Sequence, residues 1–201
     1  MVGSTIHDAT FAVSHRVPAP DPHLLAVARG DAPADLVIAG GSIVNTFTRE
    51  IIPADVAIAH GRIAAVGASG HGPWTGQTSR RIDASGCVLA PGFLDAHMHI
   101  ESTMLPPSRF ASFAAPHGTT GVVADPHEIA NVHGLDGIRW MLRDAASARC
   151  RIFFTASSCV PSCHLEHAGA TLTADDLAPL FDDDRIVALA EMMNFPGVVH
   201  A

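Results

Sequence analysis

At Cys87 the chain changes rhythm, and the change restricts what it can fold into. From Asp35 onward, short β-branched runs follow one another: Leu36-Val37-Ile38, Ser42-Ile43-Val44, Asp55-Val56-Ala57-Ile58, Arg62-Ile63-Ala64-Ala65-Val66 and Arg81-Ile82-Asp83. Gly40-Gly41, Pro53 and His60-Gly61 punctuate them, with Gly40-Gly41 reading as a hairpin signal, so residues 34–87 are expected to form a small antiparallel β module. After Cys87, strand-length apolar runs alternate with helix-length ones. Strands are expected over Val88–His97, Thr119–Ala124, Arg151–Ala156 and Arg185–Ala190. Helices are expected over Pro107–Pro116 with Gly118 as the stop, over Gly137–Ala148, and over Ala174–Phe181 behind a Thr173 cap with Asp176 three residues on. Such alternation implies parallel strands joined by helical crossovers. The fold class is therefore α/β, either an open doubly wound sheet or the first four strands of a (β/α) barrel, behind a small β-rich domain. A whole barrel needs eight such units and about 250 residues, and only 114 residues follow Cys87.

Composition narrows the function classes. With 48% hydrophobic and 16% charged residues, the 201-residue chain reads as globular. Twenty acidic against 12 basic residues give a net charge of -8 without clustered Lys or Arg, which argues against a nucleic-acid partner and for a small substrate. Cys87, Cys150, Cys159 and Cys163 are too scattered for a disulfide framework. No secretory signal or bilayer-length apolar run is evident, so the expected setting is the cytoplasm, with no membrane partner. Residues 1–33, with Pro18, Pro20, Pro22, Pro33 and one short helical stretch at Leu24–Arg29, read as an amino-terminal extension without identifiable chemistry.

The chemistry begins at Pro91-Gly92-Phe93-Leu94-Asp95-Ala96-His97-Met98-His99-Ile100-Glu101. Residues two apart on a strand point the same way, so His97 and His99 can offer both imidazoles to one metal ion at the strand's end. A lone His-x-His more often only hydrogen-bonds in a core or on a surface. Here an apolar lead-in, a Pro-Gly break and a following carboxylate favour a metal. Polar clusters also follow the other strands: Asp125-Pro126-His127-Glu128, Ser157-Ser158-Cys159 and Glu191. The carboxyl ends of parallel strands form the active face of such folds, so these clusters are expected to converge. His99-Ile100-Glu101 with Pro161-Ser162-Cys163 imitates the zinc nucleobase deaminase signature, but the cysteine spacing fails, since Cys159 and Cys163 are four apart and none follows.

With these residues, and with His117-Gly118-Thr119-Thr120, Asp125 to Val132 and Ala190-Glu191-Met192-Met193-Asn194, the sequence resembles the metal-dependent amidohydrolases, in particular the bacterial adenine deaminases, over about residues 30–201. The resemblance implies a barrel half over residues 88–201 and hydrolysis of adenine to hypoxanthine and ammonia in purine salvage. It implies His97, His99 and Glu191 as metal ligands, Glu191 bridging two divalent ions, Mn or Fe with Zn as a further option. It implies Glu191, Asp125, His127 and Glu128 as catalytic or substrate-contacting groups; the other reading of Asp125–Glu128 is a turn with His and Glu in water. Adenine and water would be the partners, and the full-length form a homo-oligomer. Further histidine ligands and an aspartate that the family takes from strands five, six and eight have no counterpart, so a truncated chain is expected, with open edges prone to self-association. Two alternatives stand beside the deaminase: another cyclic amidohydrolase, or a non-catalytic metal-binding fragment.

Overall fold

A computed structural model describes residues 19, 21–74, 78 and 80–200. The chain divides into two compact units between Pro91 and Gly92.

In the first unit, helix α1 (Pro22–Arg29) starts behind Asp21, whose side chain accepts from His23 N at 2.9 Å, and stops at Gly30, which takes the left-handed φ of 81°. Val27 of α1 is fully buried with Ala34, Val37, Ala57, Ala59 and Trp74. This corrects the reading of residues 22–33 as an extension, because the helix supplies part of a core. Residues 1–18 and 20 of that expected extension lie outside the described residues.

The strands are β1 (Leu36–Ala39), β2 (Ser42–Asn45), β3 (Glu50–Ala59), β4 (Arg62–Ala68), β5 (Arg81–Asp83) and β6 (Val88–Leu89). The ten-residue β3 organises them, pairing antiparallel with β4, with β1 (Leu36 opposite Ile58) and with β2 (Ser42 opposite Pro53). Gly40-Gly41 is consequently not a hairpin. β1 and β2 lie one after the other along β3, and the two glycines form a kink between them, with Gly40 at φ 80°. The module is also mixed, since β5 joins β1 and β6 joins β2 in parallel. His60-Gly61 does close a hairpin, between β3 and β4, with φ of 50° and 68°, as a type I′ turn requires. Asp55, on β3 and 0% exposed, accepts from Gly40 N (2.9 Å), Ser69 Oγ (2.8 Å) and Gly70 N (2.9 Å), tying the kink to the end of β4.

The second unit contains β7 (Phe93–Met98), α2 (Pro107–Ala114), β8 (Thr119–Ala124), α3 (His127–Ala145), β9 (Arg151–Ala156), α4 (Ala174–Leu177), β10 (Ile186–Leu189) and α5 (Phe195–His200). The strand expected over 88–97 is thus two strands, broken at Pro91-Gly92. A side chain on Gly92 would collide with Thr120, so only glycine lets the chain pass this close to β8. The sheet is all parallel in the order β10-β9-β8-β7. Unbroken sequential order is that of a winding barrel, whereas a doubly wound sheet reverses at a switch point. The unit is therefore a partial (β/α) barrel of four strands.

Several helices differ from expectation, and α5 (Phe195–His200) was not expected at all. α3 starts at His127, not Gly137, and Gly134 (φ 58°, ψ −141°) interrupts it. α4 stops at Leu177 and continues as a 3-10 turn over Ala178–Asp182. Its start is as expected: Thr173 Oγ1 accepts from Asp176 N, and Asp176 Oδ2 accepts from Thr173 N. The core packs Val122 and Ala124 of β8 and Ile152, Phe154 and Ala156 of β9 against Ile138, Met141 and Leu142 of α3. At the sheet's two edges Phe93, Leu94, Val187 and Leu189 remain exposed.

Candidate metal centre

The site grows from the carboxyl ends of the four parallel strands. His97 lies near the end of β7 and His99 just beyond it, with their ring centroids 5.1 Å apart at 85°. From beyond β10, Glu191 brings Oε1 to 3.6 Å from His97 Nε2 and 3.6 Å from His99 Nε2. The three ligand atoms lie within 4.8 Å of one another. With metal–ligand bonds of about 2.1 Å, two ligands of one tetrahedral ion are separated by about 3.4 Å. The spacing therefore fits one cation held between two imidazoles and a carboxylate, a donor set suited to Zn, Mn or Fe.

The second nitrogen of His99 is also committed. Nδ1 donates to Glu128 Oε2 at 3.1 Å, since a carboxylate only accepts, so in the neutral ring Nε2 is the nitrogen left to coordinate a cation. Burial alone would lower the His99 pKa, but the charges of Glu128, Asp125 and Glu101 and the Glu128 hydrogen bond outweigh it and raise the imidazole above its ordinary value. Such a pocket favours positive charge. Glu101 is displaced in the same direction, raised chiefly by burial, while Ile129 N donates to its Oε1 at 3.2 Å.

Asp125 directly follows β8 and is 1% exposed; its N–H bonds Met98 O at 2.9 Å, and Ser157 Oγ donates to its Oδ1 at 2.7 Å. His127 opens α3 at 8% exposure, and Asn131, one turn on, donates from Nδ2 to its Nε2 at 2.9 Å. The reading of this run as a turn with its histidine in water is therefore overturned for His127. Glu128 remains half-exposed beside His99. Four buried polar atoms here have no hydrogen-bond partner: Glu101 Oε2, Asp125 Oδ2, His127 Nδ1 and Asn131 Oδ1. Buried polar atoms are nearly always paired, which makes this group of four unusual.

Glu128 bonds His99 and the charge of Asp125 acts on it, but neither of these nor His127 joins the His97, His99 and Glu191 group. Sequence reasoning assigned no role to Asn131 or to the buried oxygen of Glu101. The four-residue spacing from His127 would have marked Asn131 had α3 been placed ten residues earlier. Cys159 is buried, Cys163 half-buried, and neither belongs to the candidate metal group.

The model of the amidohydrolase family matches residues 88–199. The chain belongs to the amidohydrolase family. Among its curated relatives, the adenine deaminase of Desulfatibacillum aliphaticivorans is 47% identical over 180 residues, 90% of this chain and 30% of that protein. The adenine deaminase of Paracoccus denitrificans is 50% identical over 177 residues, 87% of this chain and 30% of its own length. This amidohydrolase chain thus spans less than a third of the relatives it matches. Among solved structures, an adenosine deaminase from Xanthomonas campestris with bound zinc superposes with a TM-score of 0.50 at 17% identity, over 78% of this chain and 42% of that one, a likeness of fold. Family and geometry together support a divalent cation at His97, His99 and Glu191.

Proposed function

We propose that this chain is the amino-terminal part of an adenine deaminase, hydrolysing adenine to hypoxanthine and ammonia. The observation that carries the reading is identity of 47–50% to proteins of that name over nearly nine-tenths of the chain. His97, His99 and Glu191 would hold the cation, and with two carboxylate oxygens Glu191 is the residue able to bridge a second. Two ions, Mn or Fe, are the proposed complement. When bound, the metal supplies Lewis acidity that brings the pKa of water toward neutrality.

The remaining residues have roles that follow from their partners. Glu128 fixes the tautomer and ring plane of His99, presenting Nε2 as the ligand atom. Asp125 Oδ2 is a buried acceptor without a donor, and His127 Nδ1, protonated because Nε2 accepts from Asn131, is a buried donor without an acceptor. Adenine carries an exocyclic amine and ring nitrogens that complement such a pair. Asp125 and His127 are the groups proposed to bind the purine edge and carry protons during loss of the amine. Among the described residues no helix is long and apolar enough to cross a membrane. The proposed setting is cytoplasmic purine salvage, by a homo-oligomer of the longer protein.

The test is ammonia release from adenine by Mn²⁺-loaded protein carrying this segment, shown to be folded by circular dichroism. Release that disappears in His97→Ala and Glu191→Ala is the expected result. Release from other cyclic amides or amidines with none from adenine would move the chain to another branch of the family.

A further inference from the structure

We propose that Ser158 is a positioning residue for Glu191, setting the carboxylate against the two histidines; this rests on Glu191 being a metal ligand. Strand β10 ends at Leu189, and the last bond of its ladder is Ala190 N to Ala156 O at 2.9 Å. Glu191 lies one residue past that bond, where the sheet no longer holds the main chain. Its side chain is half-exposed. Ser158 Oγ donates to the Glu191 carbonyl at 2.8 Å and lies 3.5 Å from that of Ala190. The hydroxyl takes over where the ladder stops.

The serine is itself held on both sides. Ser157, 0% exposed, donates to Asp125 Oδ1 at 2.7 Å, and Cys159, 4% exposed, places Sγ 3.2 Å from Met192 Sδ. Three consecutive residues at the end of β9 therefore grip the end of β8 on one side and the segment beyond β10 on the other. A hydroxyl on so anchored a backbone is a fixed reference point for the Glu191 Cα, and through it for Oε1, which faces both imidazoles at 3.6 Å. A serine that only stabilised the fold would have no bearing on metal affinity beyond its effect on folding.

The experiment measures Mn²⁺ affinity by titration calorimetry and the urea midpoint of the metal-free protein for wild type, Ser158→Ala, Ser158→Thr and Glu191→Gln. Ser158→Ala is expected to bind Mn²⁺ roughly 10-fold more weakly with a nearly unchanged midpoint, the lower end of what loss of a supporting group costs a metal site. Ser158→Thr, which keeps the hydroxyl, is expected to recover affinity to within about twofold of wild type. If Glu191→Gln weakens Mn²⁺ binding and Ser158→Ala does not, the positioning role is wrong and the ligand assignment stands. Should Glu191→Gln bind as wild type does, the ligand assignment fails and the positioning role goes with it. A Ser158→Ala protein whose midpoint falls in step with its affinity would make the serine merely structural.

Discussion

Asp55 in the first unit and Asp125 in the second are both closed off from water, yet their surroundings treat them in opposite ways. Asp55 accepts three hydrogen bonds, from Gly40 N, Ser69 Oγ and Gly70 N. Burial would raise its pKa, but those donors hold it below the ordinary carboxylate value. Asp125 accepts one hydrogen bond from a side chain, and its Oδ2 has no partner, in company with orphaned atoms of Glu101, His127 and Asn131. A carboxylate whose bonding is completed by its own fold acts as a structural brace. One left half-bonded at the end of a parallel strand lacks that brace.

The largest expected effect tests that contrast directly. Asp55→Ala leaves two backbone donors and a hydroxyl without their acceptor and should lower the unfolding free energy by about 3 kcal/mol, whereas Asp125→Ala frees one serine hydroxyl and should cost about 1 kcal/mol or less. Urea denaturation measures both, and equal losses would erase the distinction. Next in size, Glu128→Ala should weaken Mn²⁺ binding about 10- to 100-fold by releasing His99, which is about 1.4 to 2.7 kcal/mol. Calorimetry showing unaltered affinity would return Glu128 to the solvated surface.

Thr173→Ala, at a cap remote from the strand ends, should cost about 1 kcal/mol of stability and leave Mn²⁺ affinity as it is. The smallest effect is read against pH. Because the folded Asp55 carboxyl is held below its unfolded value of about 3.9, its stabilisation is fully present above that value and is lost as pH falls through the folded one. The urea midpoint of the first unit should drop on acidification below about pH 4, and Asp55→Asn should flatten that drop. An equal acid dependence in the variant would assign it to other carboxylates.

Much of the barrel half was legible because its signals are local. The runs over 119–124 and 151–156 are apolar and bounded, and the structure makes β8 and β9 of them. The Thr173 cap and its Asp176 partner are three residues apart and meet as expected. What escaped depends on partners distant in sequence or on glycine. Gly40-Gly41 resembles a turn until β3 is seen to run past both neighbouring strands. α1 packs into a core that its own eight residues cannot announce. α3 is weakly amphipathic and holds a non-helical glycine, so its first two turns carry no clean period. The two imidazoles were legible from strand alternation, and Glu191 from the family resemblance. The hydroxyl that holds Glu191 was not, since Ser158 and Glu191 are 33 residues apart.

The interruption at Gly134 gives α3 two separate obligations. The backbone there (φ 58°, ψ −141°) is open essentially to glycine alone. Ahead of it, His127, Glu128 and Asn131 answer to the strand ends. Behind it, Ile138, Met141 and Leu142 answer to the hydrophobic interior. A continuous helix would transmit every change of interior volume along its axis to the first turn. With the break, residues 135–145 are not one rigid rod with the first turn, so substitutions there are expected to disturb His127 and Glu128 less than a substitution at Ala130, which lies ahead of the break and in the same core.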